Sequence, residues 1–192
     1  MGGVCTMIRR AVFLDRDGVI NRAKVINGKP HPPSCLAELE ILSDVPEALH
    51  ALHKADFRLI VVTNQPDVAR GAQRRQEVEA IHKALFELLP LDEIRVCYHD
   101  DADCCHCRKP KPGLLFEAAS MAHLDLTSCF MVGDRYRDIE AGQAAGCKTV
   151  FIDYGYDEKQ PTTYSIKVKS LGQAAQWICA YQGEREWTQS KI

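Results

Sequence analysis

The sequence predicts an α/β protein whose parallel sheet carries helices on both faces. Two observations lead there. Short apolar runs rich in β-branched residues alternate along the chain with longer segments of helical periodicity. Acidic, hydroxylated or basic residues then follow strand after strand at its carboxyl end, where ligands of such sheets bind.

The elements follow in order. Ala11 to Leu14 is a short apolar run ending at acidic residues and Gly18, which suits a buried strand. Asp44 to Ala55 has helical spacing through Val45, Leu49 and Leu52, with Asp44 placed to cap it and Pro46 in its first turn. Phe57 to Thr63 is a fully buried strand, and Gln73 to Leu89 a helix with Val78, Ile81, Leu85 and Leu88 inside. Ile94 to Tyr98 is a shorter strand before a polar, cysteine-rich loop. Gly113 to Leu124 resumes helical periodicity, and Phe130 to Gly133 is a strand. Tyr136 to Ala145 is a helix ending at Gly146, Thr149 to Ile152 another strand, and Ser170 to Tyr181 a closing helix. No repeat, low-complexity tract or linker interrupts this alternation, so residues 1–192 are expected to form a single domain.

Composition narrows the function classes. The 24 Lys and Arg nearly balance the 26 Asp and Glu, for a net charge of −2, which argues against a nucleic-acid surface. A small basic pocket for a phosphorylated metabolite remains compatible with that balance. No apolar run is long enough to span a bilayer. Residues 1–10 lack the apolar stretch of a signal peptide, so a cytoplasmic protein is expected. A monomer without membrane partners fits the same profile.

Four groups of polar residues converge on one rim. Asp15 and Asp17 follow the first strand, Thr63 and Asn64 close the second, Arg108 and Lys109 lie after the third, and Asp134 ends the fourth. In Asp15-Arg16-Asp17-Gly18 one carboxylate can attack phosphorus, and the other can protonate the leaving oxygen and later activate water. A calcium loop is excluded, because it would need Asp or Asn at position 19 and Glu at position 26, where the chain has Val19 and Ile26. Asp15 and Asp134, from neighbouring strands, suit magnesium, which takes few protein carboxylates beside phosphate and water. Lys109 offers a point charge and Thr63 a hydroxyl for the transferring phosphoryl group. Asp138 either holds Asp134 or favours its helix N-terminus.

A second cluster has metal-ligand spacing. Cys97-Tyr98-His99, five intervening residues and Cys105-His106-Cys107 supply three thiolates and one imidazole. Such a closed tetrahedral set is the pattern of structural zinc. Cys104 and His106 are further candidates. Zinc here would preorganise the adjoining Arg108 and Lys109. Cys129 and Cys147 read as small core residues, while Cys5, Cys35 and Cys179 have no metal-binding company. His31, His50, His53, His82 and His123 form no catalytic pair, and His50 and His53 suit an exposed helix face.

Together these motifs carry a resemblance. Phe13 to Asn21, Val62 to Gln65, Ala69 to Gly71, Cys107 to Gly113 and Val132 to Arg135 resemble the haloacid dehalogenase superfamily of phosphatases. The similarity covers Val12 to about Tyr156 and points to the branch that holds heptose bisphosphate and histidinol-phosphate phosphatases. It implies a Rossmann-like domain without a large cap, with a zinc loop over about residues 97–112. It implies Asp15 as nucleophile and magnesium ligand, and Asp17 as acid/base that also binds magnesium through its carbonyl. Thr63 and Lys109 would stabilise the phosphoryl group, and Asp134 would complete the magnesium ligands. Asn64, Gln65, Arg108 and Arg135 would bind substrate, and Cys97, His99, Cys105 and Cys107 match the zinc positions. The implied reaction is hydrolysis of the 7-phosphate of D-glycero-D-manno-heptose 1,7-bisphosphate, with histidinol phosphate as one alternative and a non-catalytic phospho-ligand or zinc-binding module as an alternative of another class. Pro66-Asp67 replaces the family's usual Ser-Gly, Arg22 to Gly28 lacks its Gly-Tyr-type loop, and the five-residue zinc gap resembles the histidinol-phosphate enzyme. These departures lie on the side of sugar recognition.

Overall fold

Six strands hydrogen-bond into one parallel sheet in the computed structural model, which describes residues 10–189 and the side chains of residues 10–181. In chain order the elements are β1 (Ala11–Leu14), β2 (Lys24–Ile26), β3 (Lys29–His31), α1 (Val45–Lys54), β4 (Arg58–Asn64), α2 (Arg75–Leu88) and β5 (Glu93–Cys97). Then come α3 (Gly113–Ala122), β6 (Phe130–Gly133), α4 (Tyr136–Ala145), β7 (Lys148–Ile152), β8 (Ile166–Val168) and α5 (Leu171–Gln189). The sheet order is β5-β4-β1-β6-β7-β8, with every pairing parallel. The chain builds outward from β1 on one side, then returns to its other side with β6. This reversal opens a crevice beyond the carboxyl ends of β1, β4 and β6.

The strands' period of two sorts their side chains onto two faces. Val12, Leu14, Leu59, Val61 and Val132 pack with α1, α2 and α5. Ala11, Phe13, Ile60, Val62 and Met131 pack with α3 and α4. Both faces are covered, which explains the near-continuous apolar runs of β1, β4 and β6. Cys129 and Cys147 belong to the second core, as small buried residues. Among the described residues no helix is long and apolar enough to cross a membrane. Cys5 lies outside the described residues.

Four local features depart from the sequence reading, the first being Leu88, which lies 66% exposed at the end of α2 rather than inside with Val78, Ile81 and Leu85. Asp44 does not cap α1: its backbone is already helical and its side chain makes no cap bond there. Its carboxylate instead accepts a hydrogen bond from the Gly172 N–H in the first turn of α5, at 2.7 Å. Residues 24–31, to which the sequence pattern assigns no element, form the antiparallel hairpin β2–β3. The sixth strand, β8, also escaped the reading, because three residues are too few to show a period.

Candidate active site

β1 ends in a turn that throws its polar residues into the crevice. Gly18 sits at φ +87°, and a Cβ there would lie 1.9 Å from Oδ2 of Asp134, so only glycine allows the two loops to meet. Gly133 meets the same demand from the other side, since its Cβ would fall 2.1 Å from the Cβ of Asp138. These close approaches bring Asp15, Asp134 and Asp138 together, with carboxylate oxygens within 4.8 Å of one another, all buried.

Lys109 stands at the centre of this acidic group. Its ammonium donates to Asp15 Oδ1 at 2.6 Å and to the Val62 carbonyl at 2.7 Å, and it pairs with Asp138 Oδ1 at 2.6 Å. The three donors of a lysine are thereby matched by three acceptors. Burial opposes its charge, but Asp138 and Asp15 more than offset that and hold its pKa above the usual lysine range. Asn64 fixes the backbone of the same residue, donating to the Lys109 carbonyl at 3.0 Å and accepting from its N–H at 3.1 Å.

The carboxylates are held in an unfavourable state. Burial raises the pKa of Asp15 to about 6, with Asp138 and Asp17 adding to the rise and Lys109 opposing it. Burial and the charges of Asp15 and Asp138 push Asp134 well above its ordinary value. Both carboxylate oxygens of Asp134 are buried without a well-formed hydrogen bond, although the Tyr156 hydroxyl lies near enough to oppose part of the rise. An orphaned carboxylate beside a second one is a donor set that fits a divalent cation with oxygen ligands.

Asp17 turns away from this group into a cage of donors. Arg16 binds it through Nε at 3.0 Å and Nη2 at 2.9 Å, Asn21 donates at 3.0 Å, and Gln65 donates at 2.8 Å. Arg16 is fully buried, and its Nη1 reaches His82 Nε2 at 2.9 Å. Burial, aided by Arg16, lowers the pKa of His82 to about 4, so the ring is neutral and accepts that bond.

Asp15, Asp17, Asn64, Lys109, Arg135, Arg137 and Asp138 all face one cavity of about 240 Å³, rimmed by β3 and the Pro66–Arg70 turn. Thr63 is buried behind them and accepts from the Gln65 amide at 2.9 Å. Two residues assigned to substrate by resemblance do not line the cavity. Gln65 is occupied by Asp17 and Thr63, and Arg108 is tied to Asp101 at 2.9 Å. Arg137 takes the cavity-facing place, bonded to Asp101 at 3.1 Å. Arg135 lines the cavity and pairs with Glu158.

Sequence reasoning left the role of Asp138 open and passed over Asp101, Glu158, Lys29 and Arg137. Asp138 performs two tasks, accepting from the Arg135 N–H at 3.0 Å and pairing with Lys109. Its place in the first turn after Asp134 was a visible signal, but its lysine partner lies 29 residues away in the chain (138 − 109).

The second cluster closes as a compact set. Cys97, His99, Cys105 and Cys107 bring their donor atoms within 4.8 Å of one another. The Sγ separations run from 3.2 to 3.7 Å, and His99 Nδ1 lies 3.4 Å from Cys107 and 3.6 Å from Cys97. A tetrahedral zinc with sulfur at about 2.3 Å needs edges of about 3.7 Å, so the set is of the right size. Burial, helped by the Cys107 hydrogen bond, raises the Cys97 thiol, which a cation would reverse. The other two candidates point elsewhere: Cys104 toward the Asp101 carbonyl and His106 toward Glu117.

Comparison with known proteins places this geometry. Residues 106–171 match the HAD-hydrolase-like family model. The D-glycero-beta-D-manno-heptose-1,7-bisphosphate 7-phosphatase of Escherichia coli K12 is 36% identical over 151 residues, spanning 72% of this chain and 76% of that protein. The chain belongs to that family of haloacid dehalogenase-like hydrolases. The heptose bisphosphate phosphatase of Pseudomonas aeruginosa is 35% identical over 154 residues, covering 78% of this chain and 84% of that one. Among solved structures, the heptose bisphosphate phosphatase of B. bronchiseptica, complexed with magnesium and phosphate, superposes with a TM-score of 0.73 at 28% identity. That match covers 91% of this chain and 99% of the other. As a family member the chain is a hydrolase of the phosphatase type, and the parallel sheet is that of the family.

Proposed function

We propose that this phosphatase removes the 7-phosphate of D-glycero-D-manno-heptose 1,7-bisphosphate through an aspartyl-phosphate on Asp15. The observation that carries the reading is Asp15 at the cavity floor, 2.6 Å from the Lys109 ammonium and beside the orphaned Asp134 carboxylate. Family membership supplies the substrate.

An Asp15 carboxylate oxygen bonds to phosphorus as the bond from phosphorus to the sugar oxygen breaks. Asp17 gives that oxygen its proton, then takes one from the water that attacks the aspartyl-phosphate. Inorganic phosphate leaves and Asp15 is regenerated. Lys109 holds positive charge beside the phosphoryl oxygens, and Thr63 stands behind them. Gln65, Asn21 and Arg16 orient Asp17, while Asn64 fixes the Lys109 backbone. Arg135 faces the sugar end, and Arg108 contributes by anchoring Asp101, on which Arg137 also rests.

Asp15, Asp134 and the Asp17 carbonyl would hold magnesium, which supplies the charge that lets an anionic carboxylate approach an anionic phosphate. Cys97, His99, Cys105 and Cys107 would hold a structural zinc. Their free thiols suit a reducing compartment such as the cytoplasm, where the enzyme would act as a monomer on a small metabolite.

Asp15→Asn tests the chemistry. Turnover of the heptose bisphosphate should fall by about a thousandfold or more, as loss of a nucleophile does, with fold and zinc content retained. A variant that keeps wild-type turnover would refute the role. Parallel assays with histidinol phosphate test the substrate, and a preference for that compound would overturn the heptose reading.

A further inference from the structure

The cavity wall carries more positive charge than the reaction employs. Lys109 is matched by Asp15 and Asp138, Arg70 by Asp67 and Asp100, Arg135 by Glu158, and Arg137 by Asp101. Two basic side chains on the same cavity, Lys29 and His31, have no carboxylate partner among the described residues. Both are exposed and belong to β3. As alternate residues of one strand they project to the same side, with Cα atoms about 7 Å apart. One phosphoryl group can accept a hydrogen bond from each side across such a gap.

The hairpin that carries them is anchored at both ends. The Asp157 N–H donates to the Gly28 carbonyl at its turn, at 2.8 Å. Gln73 donates to the Pro33 and Ser34 carbonyls at its exit, both at 3.0 Å. Lys24, paired across the hairpin with His31, is neutralised by Glu38 at 2.5 Å, so its charge is already committed. Pro30 and Pro32 restrict the backbone on either side of His31. Anchoring lowers the ordering cost of binding at Lys29 and His31.

We propose that Lys29 and His31 form a second anion subsite, which holds the phosphate that is not transferred while the other lies over Asp15. The proposal rests on the phosphatase reading above and narrows its substrate class to doubly phosphorylated compounds. Lys109 and the carboxylates serve the reacting phosphate, and a second phosphate in the same cavity needs positive charge and donors of its own. Lys29 supplies the cavity's uncommitted cation, and His31 a ring donor beside it.

The test compares D-glycero-D-manno-heptose 1,7-bisphosphate with p-nitrophenyl phosphate, which has a single phosphate. In Lys29→Met/His31→Asn, the ratio of kcat/KM for the bisphosphate to that for p-nitrophenyl phosphate should fall about tenfold or more, chiefly through KM. Lys29→Arg should preserve the ratio. An unchanged ratio in the double variant would overturn the subsite. Binding supplies an arm independent of turnover: calorimetric titration of the bisphosphate into Asp15→Asn protein, with and without the hairpin substitutions. The subsite requires about tenfold weaker binding without Lys29 and His31, and equal affinities would reject it. A wild-type enzyme inactive on both compounds defeats the phosphatase reading itself, and the titration alone then decides the subsite.

Discussion

Asp15, Asp134, Asp138 and Lys109 occupy a volume from which water is nearly excluded, and their charges do not cancel without help. Three carboxylates face one ammonium, and Asp134 has beside it only the Tyr156 hydroxyl, in no well-formed hydrogen bond. Burial therefore keeps protons on the acids: Asp15 titrates at about 6, and Asp134 lies well above the carboxylate range. A cation must displace those protons, so its affinity should rise with pH and proton release should accompany binding. The sign follows from the raised values: below about 6 a proton on Asp15 competes with the metal, and the raised Asp134 adds a second competing proton. Magnesium affinity should weaken about tenfold per unit of pH below that point for each proton displaced. Calorimetry in buffers of different ionisation enthalpy measures both effects, and an affinity flat from pH 5 to 8 would contradict the assignment. At this scale the sequence was legible in part. Asp15, Asp17 and Asp134 were readable because each follows a strand. Asp138 was visible but ambiguous, since a helix N-terminus also favours an acid there. The partners of Gln65 and His82 were not readable, because those bonds span 48 and 66 residues, and Arg108 meets Asp101 within an irregular loop that has no period to read.

Among the elements, the loop between β5 and α3 carries the most chemistry for its length. It supplies Lys109 to the carboxylates and Arg108 to Asp101, and its start and middle are gathered by the cluster of three cysteines and one histidine. Cys107 precedes Arg108 directly, so the position of the loop's Arg108–Lys109 end depends on the cluster. Cys105→Ser should lower zinc content from about one per chain and reduce kcat/KM by about a hundredfold at saturating magnesium, the scale of a misplacement near 1 Å. Elemental analysis with turnover measurements checks this, and full activity in zinc-free protein would separate the cluster from catalysis. The Cys-x-His and Cys-x-Cys spacing made the cluster legible. The β2–β3 hairpin was not, since Lys-Val-Ile and Lys-Pro-His show no strand pattern. Its form depends on pairing and on anchors to Asp157 and Gln73.

Across the whole molecule, the sheet separates two cores and leaves its carboxyl edge to the reaction. Phe130 joins the larger core to the final helix, with its ring edge-on to Phe57, Trp177 and Tyr181 at centroid distances of 5.8 to 5.9 Å. Phe130→Ala should cost about 3–5 kcal/mol by leaving a cavity among these rings. Urea unfolding checks the figure. If the chain is one cooperative domain, circular dichroism and tryptophan fluorescence should report the same midpoint. A loss below 1 kcal/mol would show that α5 packs without depending on this ring.

The sequence by itself determined the alternation of strand and helix, the rim on which polar residues gather, and the thiols and imidazole that meet in one cluster. These are local properties: periodicity, spacing and residue chemistry are written within a few neighbours along the chain. Only the tertiary structure decided that Asp44 serves α5 rather than α1, that Lys109 bridges Asp15 and Asp138, and that the hairpin brings Lys29 and His31 to the cavity. Each of these joins groups far apart in sequence. Their pairing is set by where the sheet order reverses and which faces are buried, and no local pattern encodes either.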